Sequence, residues 1–119
     1  MFGAAARFFS RSSIRKFELV LILREGEEYI RKREFLERVK KSGAKSDERD
    51  VTYWLEHQQE IPADAREYVL FFPGTLRLDN YRDERMQTLV WNHTVWVPSL
   101  VVLAIFDAIG CHPNVRLVR

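Results

Sequence analysis

Residues 67–97 read EYVLFFPGTLRLDNYRDERMQTLVWNHTVWV, and the way they pair decides the fold. The run Tyr68-Val69-Leu70-Phe71-Phe72 is apolar, aromatic and partly β-branched, and Pro73-Gly74 breaks it. Apolar character resumes in residues 75–78, and a polar loop follows. Leu89-Val90-Trp91 and Thr94-Val95-Trp96-Val97 then face each other across Asn92-His93, which reads as a hairpin with His93 in its turn. The stretch predicts an antiparallel sheet that supplies most of the core.

On the amino-terminal side, residues 62–72 carry two patterns. Pro62, Ala65, Tyr68, Val69 and Phe72 fit a helix, but the consecutive apolar residues favour a strand from Glu67 onward. Residues 46–58 read as a helix with Ser46 as its N-cap and Val51, Trp54 and Leu55 facing inward. Residues 27–41 form the clearest helical pattern. Glu27 and Glu28 stand four before Arg31 and Lys32, and Glu34 and Glu37 four before Arg38 and Lys41. Such pairs each add ~0.2–0.5 kcal/mol. Tyr29, Ile30, Phe35, Leu36 and Val39 supply the buried stripe, and Gly43 ends the helix. Residues 17–23 suit a buried strand, the alternative being a helix continued from Ser13.

On the carboxyl-terminal side, Pro98-Ser99 precedes residues 100–109, which are apolar nearly all round and are followed by Gly110. That punctuation predicts a buried helix, although Val101-Val102 and Ile105-Phe106 also suit a strand. Residues 115–119 alternate apolar with Arg and predict a short edge strand. The expected fold is α+β: a mostly antiparallel sheet with two or three helices packed on one face. It forms a single domain over residues 17–119, preceded by a basic arm over residues 1–16.

Composition bounds the function. With 119 residues, 46% hydrophobic and 30% charged, the chain can close one core without cross-links. The net charge of +2 comes from the arm, where Arg7, Arg11, Arg15 and Lys16 meet no acid. The remainder holds 15 basic and 17 acidic residues, too balanced for a broad phosphate-binding face. The longest apolar run, residues 95–106, falls short of the ~20 residues that span a bilayer. The single Cys111 suits a reducing compartment, so a cytoplasmic location is expected. The Arg- and Ser-rich, acid-free arm also suits organelle targeting.

Nothing in the sequence spells out catalysis. Cys111-His112-Pro113 lacks the flanking signature of a cysteine nucleophile. His57, His93 and His112 are scattered, and Asp79, Asp83 and Glu84 lack the calcium-loop pattern. Asp47, Glu48 and Asp50 suit a helix dipole better than proton transfer. There is no phosphate loop or dinucleotide fingerprint, so no cofactor is predicted. An enzyme would need a site assembled only by the fold.

Two resemblances bear on function. Phe35, Val39, Gly43, residues 51–55 and Glu60-Ile61-Pro62 resemble the helix-turn-helix of phage-type repressors over residues 35–62. That resemblance implies DNA binding, with Arg49, Thr52 and Tyr53 toward bases and Lys40, Lys41 and Lys45 toward phosphates. The sequence departs from the family in its longer turn, in Val39 where a small residue is usual, and in acids at the start of the reading helix. Leu55-Glu56-His57-Gln58, Ile61-Pro62, Tyr68, Phe71-Phe72, Gly74-Thr75, Leu89, Trp91 and Trp96 are similar to stretches of small uncharacterised bacterial proteins. That likeness implies sheet over residues 55–96 and no particular activity.

The leading expectation is a non-catalytic interaction module, its partner another protein or a second copy. Tyr53, Tyr81, Trp91 and Trp96 are the candidate contact residues, since aromatics are enriched where proteins meet. A small DNA-binding regulator is the alternative.

Overall fold

The computed structural model describes residues 5–7 and 16–119. The arm read over residues 1–16 therefore lies outside the described residues, apart from a three-residue strand and Lys16. The fold is α+β in a single domain. Its strands are β1 (Ala5–Arg7), β2 (Glu18–Leu21), β3 (Val69–Phe71), β4 (Arg77–Leu78), β5 (Glu84–Trp91), β6 (Trp96–Val102) and β7 (Val115–Val118). Its helices are α1 (Lys32–Ser42), α2 (Glu48–Glu56) and the single turn α3 (Ile105–Ala108).

The seven strands form one sheet. β1 pairs with β2, β2 with β7 and β7 with β3, and β5 takes β3 and β4 on one side and β6 on the other. Every pairing is antiparallel except β3 with β7. The sheet divides the core in two because successive side chains on a strand point to opposite faces. Val20, Phe71, Met86 and Leu117 face one side and pack with Phe35 and Val39 of α1 and Phe106 of α3. Leu19, Leu70, Leu89 and Val118 face the other and pack with Val51 and Trp54 of α2.

The sheet expected over residues 67–97 is present, but four details differ from the sequence reading. First, the helices divide between the two faces instead of sharing one. Residues 43–47 carry the chain past the sheet from α1 to α2. Secondly, Ser46 is not the cap of α2. Its hydroxyl is buried and donates to the Val118 carbonyl, while Asp47 caps the helix and Asp50 returns a bond to the Asp47 N–H at 2.9 Å. Thirdly, residues 100–109 are not one helix. β6 runs on to Val102, because Leu103 N–H still bonds Glu84 O at 2.9 Å, and only one helical turn follows. Fourthly, β7 is an inner strand between β2 and β3, not an edge. Arg116 fits there because its guanidinium lies over the Tyr68 ring, its central carbon 4.0 Å from the centroid, and donates to the Pro113 and Val115 carbonyls.

α1 starts at Lys32, later than the charge pattern predicts. Ile30 is held extended by mutual backbone bonds with Cys111 (3.0 and 2.7 Å), so Glu27 and Tyr29 lie ahead of the helix. Glu27 instead reaches Arg38, which binds both its carboxylate oxygens (2.6 and 2.7 Å), Glu34 at 2.9 Å and the Ile22 carbonyl at 3.0 Å. The Arg38 bonds, with help from the Arg24 N–H, hold the Glu27 carboxyl at about 2 instead of 4.5. Between those values the unfolded chain binds the proton and the folded chain does not. The resulting stability is complete above about pH 4.5 and is lost as the pH falls through 2. Solvent screening of this partly exposed pair limits it to roughly 1 kcal/mol. Glu27→Gln should therefore be less stable than the parent near neutrality. Its urea midpoint should also fall less between pH 5 and pH 2, and parallel acid limbs would contradict the pairing.

Candidate functional site: the outer edge of β6

The β5–β6 hairpin is closed by Asn92, whose side-chain oxygen accepts from the N–H groups of Thr94 (3.1 Å) and Val95 (2.9 Å). His93 sits in the turn as expected, at φ +81, the left-handed conformation such a tight turn needs. From there each strand residue pairs in register, Trp91 with Trp96 down to Arg85 with Val102.

In an antiparallel pair, narrow hydrogen-bonded pairs alternate with wide ones whose N–H and C=O groups point away. The bonds Asn92 N–H to Val95 O (3.0 Å) and Leu103 N–H to Glu84 O (2.9 Å) fix the phase at both ends. Val97, Ser99 and Val101 therefore bond β5, whereas Trp96, Pro98, Leu100 and Val102 turn their backbone polar groups outward. Among the described residues no other strand pairs with β6.

Each outward position is treated differently. Trp96 is capped by the Gln58 carboxamide, which accepts from its N–H at 2.8 Å and donates to its carbonyl at 3.0 Å. One side chain thus imitates the neighbouring strand. Pro98 has no N–H to offer, and at this phase its ring takes no bond from β5. Leu100 and Val102 keep both groups, and among the described residues no backbone or side-chain group bonds them. Leu100 is 52% exposed, and beside it Gln87, Pro98 and Ser99 line a shallow hollow.

The strand is also uncharged. Residues 86–106 contain no Asp, Glu, Lys or Arg, in a chain where 30% of residues are charged. Edge strands are ordinarily blunted by such charges. β6 has Pro98 and the Gln58 cap at one end and, among the described residues, no blunting device at the other. This charge-free stretch is legible in the sequence, but its second part, residues 100–106, reads as buried helix until the phase of β6 is known.

The candidate contact aromatics do not form one surface. Trp96 is buried at 2% exposure and belongs to the core, touching Trp91 edge-on at 5.8 Å. Trp91 is half-buried, and the Arg66 guanidinium covers its face at 4.0 Å. Tyr53 stacks on His57 at 4.1 Å and donates to Glu60 at 3.0 Å. Tyr81, at 82% exposure, stands in the loop before β5, at the far end of that strand from Trp91.

The helix-turn-helix residues fare similarly. α1 and α2 pack on opposite faces of the sheet, so the two-helix unit of repressors is not formed. Lys40, Lys41 and Lys45 are exposed, but Arg49 bonds Asp47 at 3.2 Å and the Thr52 hydroxyl donates to the Glu48 carbonyl at 3.1 Å.

Cys111 is fully buried, and burial pushes its thiol up to about 12, which keeps it protonated at neutral pH. The His112 ring is held by the Ile109 carbonyl at 2.9 Å. Among the described residues no three His, Cys, Asp or Glu side chains gather as metal ligands, and no helix is long and apolar enough to cross a membrane. No family model matches the chain, and neither does any curated protein or solved structure.

Proposed function

We propose that the protein is a non-catalytic interaction module that receives an extended segment of a protein partner along the outer edge of β6. The observation that carries this reading is the pair of open backbone positions, Leu100 and Val102, on an uncharged strand that is exposed at Leu100. Main-chain groups of this kind give affinity to an added strand, and the alternate side chains give it preference. The β5–β6 hairpin holds them in place, so the acceptor edge is set before any partner arrives.

The test is an NMR titration, at a dilution where sedimentation shows the chain to be monomeric, with a short uncharged peptide of alternating Val and Thr. Exchange of the Leu100 and Val102 amides should slow as peptide is added. The Val97, Ser99 and Val101 amides, already bonded to β5, should change little. Uniform small shifts over the whole surface, with no slowing at Leu100 and Val102, would overturn the reading.

A further inference from the structure

We infer that the strand β6 receives is β6 of a second copy of this chain, paired antiparallel about a two-fold axis at Val101. This rests on the reading of β6 as an acceptor edge and names its partner. Outward-facing residues must meet outward-facing residues, which leaves few registers. With Val101 opposite its own copy, Leu100 of each protomer faces Val102 of the other. Four main-chain bonds then satisfy every outward N–H and C=O of Leu100 and Val102 on both chains. Pro98 falls beyond the paired ladder, where its missing N–H costs nothing. Sliding the register by one pair sets Pro98 against Val102 and leaves both Val102 carbonyls without a donor.

The surroundings fit this register. A two-fold normal to the sheet keeps like faces together. After Val102 the partner chain turns away into α3, toward the face holding Phe106. Gln58 blocks the edge at Trp96, which packs on the opposite face. The ladder is thus closed by Gln58 where the second strand has already left the sheet. Leu100 and Val102 side chains of the two copies meet in alternation, an apolar cross-strand contact. Electrostatics do not oppose the approach: residues 86–106 are uncharged, and outside the four cations of residues 1–16 the chain holds 15 bases and 17 acids. A self-complementary patch of this kind gives a closed dimer, not a fibre.

The experiment is sedimentation velocity over a concentration series on the full chain, with disulfide trapping. Across the new edge the two Val101 residues form a wide, non-bonded pair with Cα atoms ~4.5 Å apart, within disulfide range. Val101→Cys should cross-link under mild oxidation, and Ser99→Cys should not, because Ser99 faces Leu103 of the partner in this register. Leu100→Pro removes an outward donor but no bond to β5, and should weaken dimerisation roughly 10–100-fold with an unchanged circular dichroism spectrum. Should that proline disturb the strand, Leu100→Lys provides the same test at an exposed side chain.

A dimer that Leu100→Pro dissociates and Val101→Cys traps supports the inference. Trapping through Ser99→Cys, or a dimer indifferent to both Leu100 substitutions, would overturn it. A strict monomer would overturn it too, and the peptide titration then separates the cases. Slowed exchange at Leu100 and Val102 with peptide leaves the acceptor edge standing with a foreign partner, whereas unchanged exchange removes both.

Discussion

Replacing Phe35 by alanine should destabilise the protein by about 3–5 kcal/mol, a large part of the ~5–15 kcal/mol of a typical domain. Phe35 is fully buried at the centre of the α1 face of the sheet. Its ring meets Phe71 of β3 edge-on at 5.5 Å and Phe106 of α3 at 5.0 Å, and those two rings lie 5.8 Å apart. Truncation removes one member of a three-ring cluster that joins helix, sheet and the turn after β6. The strands behind it are tied by their own ladders, so the cavity cannot close by collapse. The measurement is a urea melt: the midpoint should fall steeply with the slope unchanged. Leu78→Ala, at a site 64% exposed, should stay within ~0.5 kcal/mol and serves as the comparison. A loss below about 1 kcal/mol at Phe35 would contradict the packing described.

The second large effect is expected from the smallest possible addition. Gly74→Ala should cost about 2–4 kcal/mol, combining overpacking with a broken backbone bond. A Cβ at this position would lie 2.6 Å from the Lys45 carbonyl oxygen and 2.7 Å from that of Ser46. Neither atom belongs to a side chain that can move aside. The Gly74 N–H donates to the same Ser46 carbonyl at 2.7 Å, so any retreat breaks that bond. Three elements meet here, because Ser46 also bonds Val118 of β7 and Asp47 caps α2. The contrast is Gly43→Ala. Gly43 has a left-handed φ of +72 but open space around it, so that change should cost only ~1 kcal/mol of backbone strain. Urea melts of both variants check the order, and equal losses would show that crowding at Gly74 is relieved.

The sequence reading succeeded where local chemistry and tertiary packing agree. The break at Pro73-Gly74, the Asn92 turn and the spacing of Val51 and Trp54 each have one satisfactory local answer. Pro73-Gly74 ends the apolar run on sequence grounds, but the deeper reason for the glycine, the approach of residues 45–46 to within Cβ distance, has no signal in the residues themselves. Residues 100–109 misled because a run apolar at every position but Asp107 has no period. Strand and helix are separated only by the partner, and β5 is long enough to keep pairing down to Arg85.

β7 misled for a different reason. Arg116 and Arg119 look like edge charges, yet Arg116 lies over Tyr68 and Arg119 pairs with Glu18 at 2.5 Å. A charged residue on an inner strand is acceptable when its head has a partner, and that is decided by residues distant in sequence. The candidate site was hidden in the same way. The missing charges of residues 86–106 are plain to see, but an open edge appears only once β6 is known to have a single neighbour among the described strands.

Among the described strands β7 alone joins β2 to β3, so the two halves of the sheet unite only through the strand nearest the end of the chain. Leu19 waits for Val118, roughly one hundred residues further along, and closing so long a loop comes before any pairing rewards it. Before β7 is in place, β1–β2 and β3–β5–β6 are two separate ladders, each complete in its own pairings and neither joined to the other. Losing the Val115–Val118 strand should therefore part the sheet into two pieces rather than merely shorten it.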